Sequence, residues 1–509
     1  MLASESAWRP SHTRLDRVLP RQRAGTLCAV GRLSAFLLTG LLVLALAGCG
    51  SSAPGSGASS PTIQALSYFP ATSPFVVTVA TNPKAASVKQ LQQSSPSYAF
   101  AATAVFAELS KLGIDYNNDV RPLFGNPVAA GAVSASGLSG SGDSQFLAAW
   151  VTKSAGKLKS LLTKLHVSAS GTHDGATLYR AGNAALATSG ATVLIAGSPA
   201  TLDAALDRHA HQQGYDAAAY AKATTGISTD GVITAFGDLT GALSTPQAAK
   251  ARSIPWVGAI TGYGASVSAT HGAVTIRYHV ATTGKPLTVA QLPIASGTSA
   301  PGIAGNMPVG VGIRDPKQII DFFVDAVRRT DPAEYAKYQR QVASLKRRSG
   351  VDITSWDKML TGDLSIESDA RTTIARAQVS DPAAARTMLA KLVKAKPAKG
   401  TRVTALGGGL YRVRSDKTTV TVGVIGAQFV AGRATPAQLR SFAAAPASPT
   451  SGGAGSVNFR IALPDLLRRT LKHAPSPMAQ QVLAMLGVMT GSAQADTGGL
   501  SGTLTIPVK

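Results

Sequence analysis

The chain is poor in the residues that stabilise small secreted scaffolds and that build thiol or metal centres. It has 2 cysteines in 509 residues, 6% aromatic residues and 15% charged residues, whereas charged residues usually make up about a quarter of a protein. Two cysteines can build neither a disulfide framework nor a metal site made of cysteines alone. The 45% hydrophobic content excludes a wholly disordered chain, and the length allows about three domains.

Motifs that identify common enzyme classes are also missing. The sequence has no Gly-x-Ser-x-Gly elbow, no Walker loop, no Gly-x-Gly-x-x-Gly fingerprint and no His-Glu-x-x-His zinc motif. Ser154 and Lys157 have the Ser-x-x-Lys spacing of penicillin-binding nucleophiles, but no Lys-Thr-Gly partner accompanies them. We therefore expect no catalytic activity, no cofactor and no metal site.

The most specific signal is an apolar run that leads into a cysteine near the N-terminus. Leu33–Leu46 is too short to span a bilayer comfortably and fits the hydrophobic region of a signal peptide. The residues that follow, Leu46, Ala47, Gly48 and Cys49, resemble the lipobox of bacterial lipoproteins. The resemblance implies that a peptidase recognises Leu46, Ala47 and Gly48 and cleaves before Cys49. It also implies a diacylglyceryl group on the Cys49 sulfur, and two acyl chains anchor a protein stably.

We therefore expect residues 1–48 to be a lipoprotein signal peptide and the mature chain to lie on the outer face of the bacterial cytoplasmic membrane. Charged residues begin at Glu5, and a start near Val18 or Val30 would give a more compact leader. The translation start is therefore open, and a late start would exclude residues 1–29. The other cysteine, Cys28, lies in the leader, so the mature chain has no disulfide and no free thiol nucleophile.

A tether and two related units are expected after Cys49. Residues 49–66 are rich in Gly, Ser and Pro and are predicted to be flexible. The first unit is predicted over 67–288 and the second over 305–509. A loose linker, 289–304, separates them, so few contacts are expected to cross between the units.

The two units are related in sequence. A shift of 237 residues aligns Tyr98 with Tyr335 and the segments around them without a gap. The markers of the repeat are Gly113 with Gly350, Asp115 with Asp352, and Gly125 with Gly362. This pattern indicates a tandem duplication. Hairpin-like strand pairs between helices favour an α+β fold with mainly antiparallel sheet over a doubly wound parallel sheet.

Two small motifs could carry chemistry but have simpler explanations. Asp115 and Asp352 could be paired catalytic carboxylates, yet each follows a Gly and an apolar residue. That pattern favours a helix end in the left-handed conformation followed by an Asp that caps the next helix. His209 and His211 could bind a metal ion, but a helix turns residues two apart to different sides. We expect a surface pair there.

Several longer segments support a family resemblance. They are Tyr68–Val77, Leu123–Gly125, Gly175–Arg180 and Gly197–Leu202. With the lipobox, they resemble a family of bacterial envelope lipoproteins catalogued only as a domain of unknown function, over most of residues 66–509. The resemblance implies an envelope location and an α+β fold, and it brings no catalytic residues with it.

Positive charge is concentrated in the second unit. Residues 301–509 have 28 basic and 14 acidic residues, a net charge of +14, whereas residues 49–300 have 15 and 10, a net charge of +5. No nucleic-acid-binding motif accompanies the charge, so we expect attraction to an anionic envelope polymer or lipid, centred on a basic helix from Pro332 to Ser349. The expected function is a lipid-anchored, non-catalytic binding or scaffold protein. The alternatives are an envelope hydrolase with catalytic residues dispersed in sequence and a carrier of lipid or another hydrophobic ligand.

Overall fold

The structure is a computed structural model that describes residues 60–508 with internal gaps. The gaps are 83–87, 91–108, 112, 136–144, 182–183, 271, 298–299, 361, 396–399, 416–417, 449–454, 466–479, 481–483 and 485–486. Every strand pairing between described residues is antiparallel. The predicted α+β class is therefore confirmed.

The strands of the first unit run from β1 to β10. They are β1 Phe75–Val79, β2 Val128–Ala132, β3 Phe146–Val151, β4 Ala169–His173, β5 Ala176–Ala181, β6 Ala184–Ser189, β7 Thr192–Ala196, β8 Ile233–Asp238, β9 Gly262–Thr270 and β10 Ala273–Ala281. The remaining strands are β11 Ile303–Ala304, β12 Val309–Ile313, β13 Leu364–Ser368, β14 Thr373–Gln378, β15 Arg402–Gly407, β16 Leu410–Arg414, β17 Thr419–Ile425, β18 Gln428–Gly432, β19 Ala447–Ser448, β20 Val457–Ala462, β21 Val488–Asp496 and β22 Gly499–Pro507.

Among the described residues, eight helices have six or more residues. They are α1 Pro61–Leu66, α2 Ala155–Lys164, α3 Pro199–Ala210, α4 Ala217–Ala223, α5 Pro316–Thr330, α6 Pro332–Ser349, α7 Pro382–Lys394 and α8 Pro436–Ala444. Shorter helical turns cover Tyr116–Val120, Arg121–Leu123, Thr240–Leu243, Pro246–Ala248, Ala249–Arg252, Pro255–Ala259, Val289–Gln291, Ile353–Ser355 and Trp356–Met359. Many helices begin with a polar cap followed by proline, as at Ser198, Asp381 and Thr435, because proline fits the first helical turn.

Twenty of the strands form one continuous sheet. Its order is β4-β5-β6-β7-β3-β2-β1-β8-β9-β10-β22-β21-β20-β12-β13-β14-β18-β17-β16-β15. The two halves of this order contain the same pattern of pairings, strand for strand. The remaining strands, β11 and β19, form a separate two-stranded sheet that contacts β12 and β13.

The halves meet where β10 pairs with β22 over nine residues. The pairing is symmetric, since Ala273 at the start of β10 faces Pro507 at the end of β22, and Ala281 faces Gly499. The expectation that few contacts cross between the units is therefore wrong. Sequence patterns report local structure, and a strand at the end of a unit does not reveal which distant edge it will pair with.

In the first unit the sheet lies between two layers of helix. Along β7, Leu194 joins the core beneath α1, α3 and α4, whereas Val193 and Ile195 join the core beneath α2 on the other face. This alternation is the period of two that a strand imposes on its side chains. In the second unit α8 covers one face through Leu439, and α7 covers the other through Ala385.

The folded part begins earlier than the sequence suggests. The expected tether ends at residue 66, but Ser60 caps α1, and Ile63 and Leu66 are buried against the first sheet. The stretch expected to be a loose linker contains the turn Val289–Gln291 and the strand β11. Short apolar segments such as these are hard to recognise, because neither is long enough to show a helical or strand period.

Candidate functional site

The residues of the predicted lipobox, Leu46, Ala47, Gly48 and Cys49, lie outside the described residues. Within the described residues, no helix is long and apolar enough to cross a membrane. Ser60, the first described residue, lies eleven positions after Cys49. The expected anchor therefore lies close in sequence to helix α1.

The repeat markers Gly113 and Gly350 end helical segments in the left-handed conformation, with φ of +70° and +68°. Asp115 then accepts a hydrogen bond from the backbone N–H of Asn118, and Asp352 accepts one from Thr354. The carboxyl of Asp352 also binds Lys346 Nζ at 2.8 Å. These hydrogen bonds, led by Lys346, lower the pKa of Asp352 to about 2. Both aspartates occupy the positions that the capping interpretation gives them.

The other marker pair, Gly125 and Gly362, marks close approaches. A Cβ on Gly125 would collide with the side chain of Lys153, which follows β3, and one on Gly362 would collide with Gln378, at the end of β14. Tyr98, paired with Tyr335 in sequence, lies outside the described residues. The described markers thus end helices, cap helical turns or allow close approaches at corresponding places in the two units.

His209 and His211 do not act together. His211 is exposed, and its Nδ1 lies 2.7 Å from the carbonyl of Asp207. The ring of His209 stacks on Tyr68 at 4.2 Å, and burial lowers the pKa of His209. The expected surface pair is therefore half right, because one of its members packs into the fold.

His209 also makes a contact that the sequence did not suggest. Its Nδ1 lies 2.6 Å from Ser67 Oγ, a distance that suits a nucleophile and its general base. Ser67 follows α1, however, and its hydroxyl also donates to the carbonyl of Gln64 at 2.8 Å. Among the described residues no carboxylate binds His209, so the third member of a catalytic triad is missing.

A cluster of His173, Asp174 and Asp207 was missed in the sequence. His173 and Asp174 lie at the β4–β5 turn, Asp207 lies on α3, and one ligand atom from each lies within 4.8 Å of the others. His173 Nε2 is 2.7 Å from Asp207 Oδ1, and this hydrogen bond raises the pKa of His173 and lowers that of Asp207. All three side chains are at least 33% exposed. An ion pair that ties a hairpin to a helix accounts for the cluster.

The second unit contains a buried ion pair. Glu367 on β13 is 1% exposed, and its carboxylate accepts hydrogen bonds from Arg460 at 2.8 Å and from the backbone N–H of Met307 at 3.0 Å. Arg460 also donates to the carbonyls of Gly305 and Met307. Burial raises the pKa of Glu367, against the effect of these partners. The ion pair therefore holds the backbone of Gly305 and Met307, which precede β12, in place.

The matching place in the first unit is apolar. Val76, the second residue of β1, lies between Gly131 and Phe236, and Phe236 is fully buried. Gly310, the second residue of β12, lies between Glu367 and Arg460. The two units therefore use different chemistry at equivalent positions.

A surface cavity of about 320 Å³ lies beside α7. Its lining includes Arg386, Leu389, Gly409 and Tyr411. Arg386 is held by a hydrogen bond to the carbonyl of Gly426. The cavity is neither wholly apolar, as a lipid carrier needs, nor lined by converging carboxylates or imidazoles, as a hydrolase needs.

Ser154 and the basic helix α6 complete the candidates. Ser154 caps α2 by accepting from the backbone N–H of Lys157, so capping explains the Ser-x-x-Lys spacing. Helix α6 spans the predicted range Pro332–Ser349, and none of its residues is buried. Lys337 pairs with Glu334, and Lys346 pairs with Asp352 outside the helix.

Residues 31–265 match the model of a family described as a protein of unknown function (DUF3352). The match confirms the resemblance to a family of unknown function, and it ends within β9, so the second unit lies outside it. No curated protein matches the chain.

Three solved structures of a protein called TP0453 resemble parts of the chain. Crystal form IV has 13% identity and a TM-score of 0.23, over 44% of this chain and 81% of that one. Crystal form III has 10% identity and a TM-score of 0.26, over 44% and 82%. Crystal form I has 13% identity and a TM-score of 0.19, over 42% and 74%. TM-scores this low do not establish a shared fold.

Proposed function

We propose that this protein is a lipid-anchored lipoprotein of the bacterial cell envelope that acts as a non-catalytic binding or scaffold protein. The observation that carries the proposal is the sequence Leu46-Ala47-Gly48-Cys49 at the end of an apolar run. A diacylglyceryl group on Cys49 would hold the chain on the outer face of the cytoplasmic membrane. Ser60, the first described residue, would then lie within about 40 Å of the lipid, because an extended residue spans at most about 3.6 Å.

The contacts of the polar side chains favour binding over catalysis. Asp115 and Asp352 cap helical turns, and Glu367 and Arg460 hold the entry to β12. A catalytic constellation duplicated with the units would leave equivalent reactive groups in both. The equivalent positions instead hold an apolar pair in the first unit and an ion pair in the second.

The proposed ligand is an anionic polymer or lipid at the second unit. Within the described residues, Arg340, Arg347 and Arg348 on α6 have no carboxylate partner, whereas the two lysines of the helix are paired. Three guanidinium groups on one exposed helix attract phosphate or carboxylate groups at a surface. The attraction should weaken as salt shortens the Debye length.

A hydrolase is the second candidate, and the Ser67–His209 contact is what favours it. The two residues are 142 positions apart, as expected for catalytic groups dispersed in sequence. Ser67→Ala should abolish hydrolysis of a soluble ester if Ser67 is a nucleophile, while His211→Gln should leave it unchanged. Equal rates for the native chain, Ser67→Ala and a blank without protein would remove this candidate.

The lipid anchor is tested by replacing each cysteine in turn. Cys49→Ala should leave the precursor uncleaved, because no other side chain can accept the diacylglyceryl group. The matched control, Cys28→Ala, should be processed like the native chain, because Cys28 lies in the leader. Mass spectrometry of the N-terminal peptide should find a diacylglyceryl-cysteine in the native chain and in Cys28→Ala. An unmodified Cys49 in the processed chain would refute the proposal.

A further inference from the structure

Helix α5 has an apolar face that the fold leaves open. Its sequence, PKQIIDFFVDAVRRT, places Ile319, Phe323 and Val327 four residues apart and therefore on one face. Phe323 is 61% exposed and Val327 is 39% exposed. Apart from Pro316, no residue of the helix is buried. A helix on a globular core normally turns such a face inward.

The polar side of α5 is the side that contacts the rest of the fold. Gln318 donates to the carbonyls of Val289 and Leu292 at 3.1 and 2.7 Å. Arg329 donates to the carbonyl of Ser253 at 3.4 Å. Gln318 and Arg329 lie roughly 120° to 180° around the helix from Phe323 and Val327. The apolar face is thus directed away from the neighbouring turns.

The surroundings of this face indicate what covers it. Helix α6 follows directly, since Asp331 accepts a hydrogen bond from Glu334 at its start, and α6 carries the three unpaired arginines. Helices α5 and α6 contact each other. Exposed apolar residues on one helix and unpaired basic residues on the other are a combination that suits the interface of an anionic bilayer. A second copy of this chain would bring the same positive charges together.

We propose that Ile319, Phe323 and Val327 of α5 insert into the interface of an anionic lipid bilayer, with the arginines of α6 facing the lipid headgroups. The inference deepens the proposed function, because the anchor at Cys49 would keep α5 near the bilayer and raise its effective concentration there. It is nevertheless separable from the anchor, since an unlipidated chain can be tested directly.

The test uses the chain from residue 50 to 509 without its anchor. Co-sedimentation with vesicles of equal phosphatidylglycerol and phosphatidylcholine should show binding that falls with salt and is weak for phosphatidylcholine alone. Phe323→Asp should raise the lipid concentration for half-binding at least about tenfold, because it removes an inserted aromatic ring and adds a negative charge. Val327→Asp and the control Val488→Asp change equally exposed valines, at 39% and 42%. The first should weaken binding and the second should not.

A variant labelled with a dye tests the inference even if an Asp variant fails to fold. The chain after Cys49 has no cysteine, so Phe323→Cys and Val488→Cys each take one environment-sensitive dye. The dye at 323 should shift to the blue with anionic vesicles, and the dye at 488 should not. No native binding, equal binding by all variants, or a lipid-free dimer that Phe323→Asp dissociates would overturn the inference. A failed Cys49→Ala experiment would refute the anchor and leave these results standing.

Discussion

Replacement of Arg460 by methionine should destabilise the second unit by about 3 to 5 kcal/mol, the usual cost of leaving one member of a buried ion pair alone. The Glu367 side chain is 1% exposed and the Arg460 side chain is 24% exposed, so water can replace little of the lost contact between them. The change also removes the hydrogen bonds from Arg460 to the carbonyls of Gly305 and Met307. Equilibrium unfolding in urea at 25 °C, followed by circular dichroism, measures the loss.

The double variant Glu367→Gln/Arg460→Met supplies the control. It removes both charges, so it should recover much of the loss, because the uncompensated carboxylate causes most of the cost. Glu367→Gln alone should cost less than Arg460→Met, since Arg460 keeps two carbonyl acceptors and is partly exposed. A double variant as unstable as the sum of the single variants would contradict this reasoning.

The pH dependence gives a second readout. Burial raises the pKa of Glu367 above its ordinary value of 4.5, so the folded state binds the proton more tightly than the unfolded state. The contribution of Glu367 to stability is therefore most favourable below pH 4.5 and declines as the pH rises through the folded-state pKa. Arg460 lowers this pKa, so Arg460→Met should extend the decline to higher pH. A loss of the same size at pH 5 and pH 8 would refute the assignment.

Gly113→Ala and Gly350→Ala should each cost about 1 kcal/mol in urea unfolding, because a Cβ there meets open space but the left-handed backbone is strained. His173→Gln should remove stability that is present below pH 6.5 and that the native chain loses as pH rises through the raised pKa of His173. The melting temperature at pH 5 and pH 8 checks this, and an equal loss at both pH values would contradict it. A chain of residues 60–288 should self-associate in sedimentation, because β10 would lose β22 and become an open edge, and a stable monomer would contradict this.

Local features of the fold could be predicted from the sequence. The apolar or β-branched runs Phe75–Val79, Thr192–Ala196 and Thr419–Ile425 are strands, and Pro332–Ser349 is a helix as predicted. Apolar or β-branched runs identify such strands, and the Asp-Pro pair identifies the start of the helix. The edge strand β4 cannot be recognised in this way, because four of its five residues are exposed and its sequence has no apolar alternation.

Features that depend on distant contacts could not be predicted. Ser67 and His209 are 142 positions apart, and Glu367 and Arg460 are 93 apart, so no spacing in the sequence connects them. The helical period of α5 can be read from the sequence, but the direction of its apolar face cannot. A pattern shows that one face is apolar and does not show whether the rest of the fold covers it.

The symmetric seam between β10 and β22 explains how the two units can differ so much. Each residue of β10 faces the residue of β22 that occupies the mirrored place in the same nine-residue strand, as in the interface of a two-fold dimer. The tandem duplication predicted from the sequence repeat would produce such a seam if the original unit paired with itself. In a continuous sheet of this kind, the two units can keep the same strand pairings with different side chains. The second unit has the ion pair of Glu367 and Arg460 where the first has Gly131 and Phe236, and it has most of the positive charge.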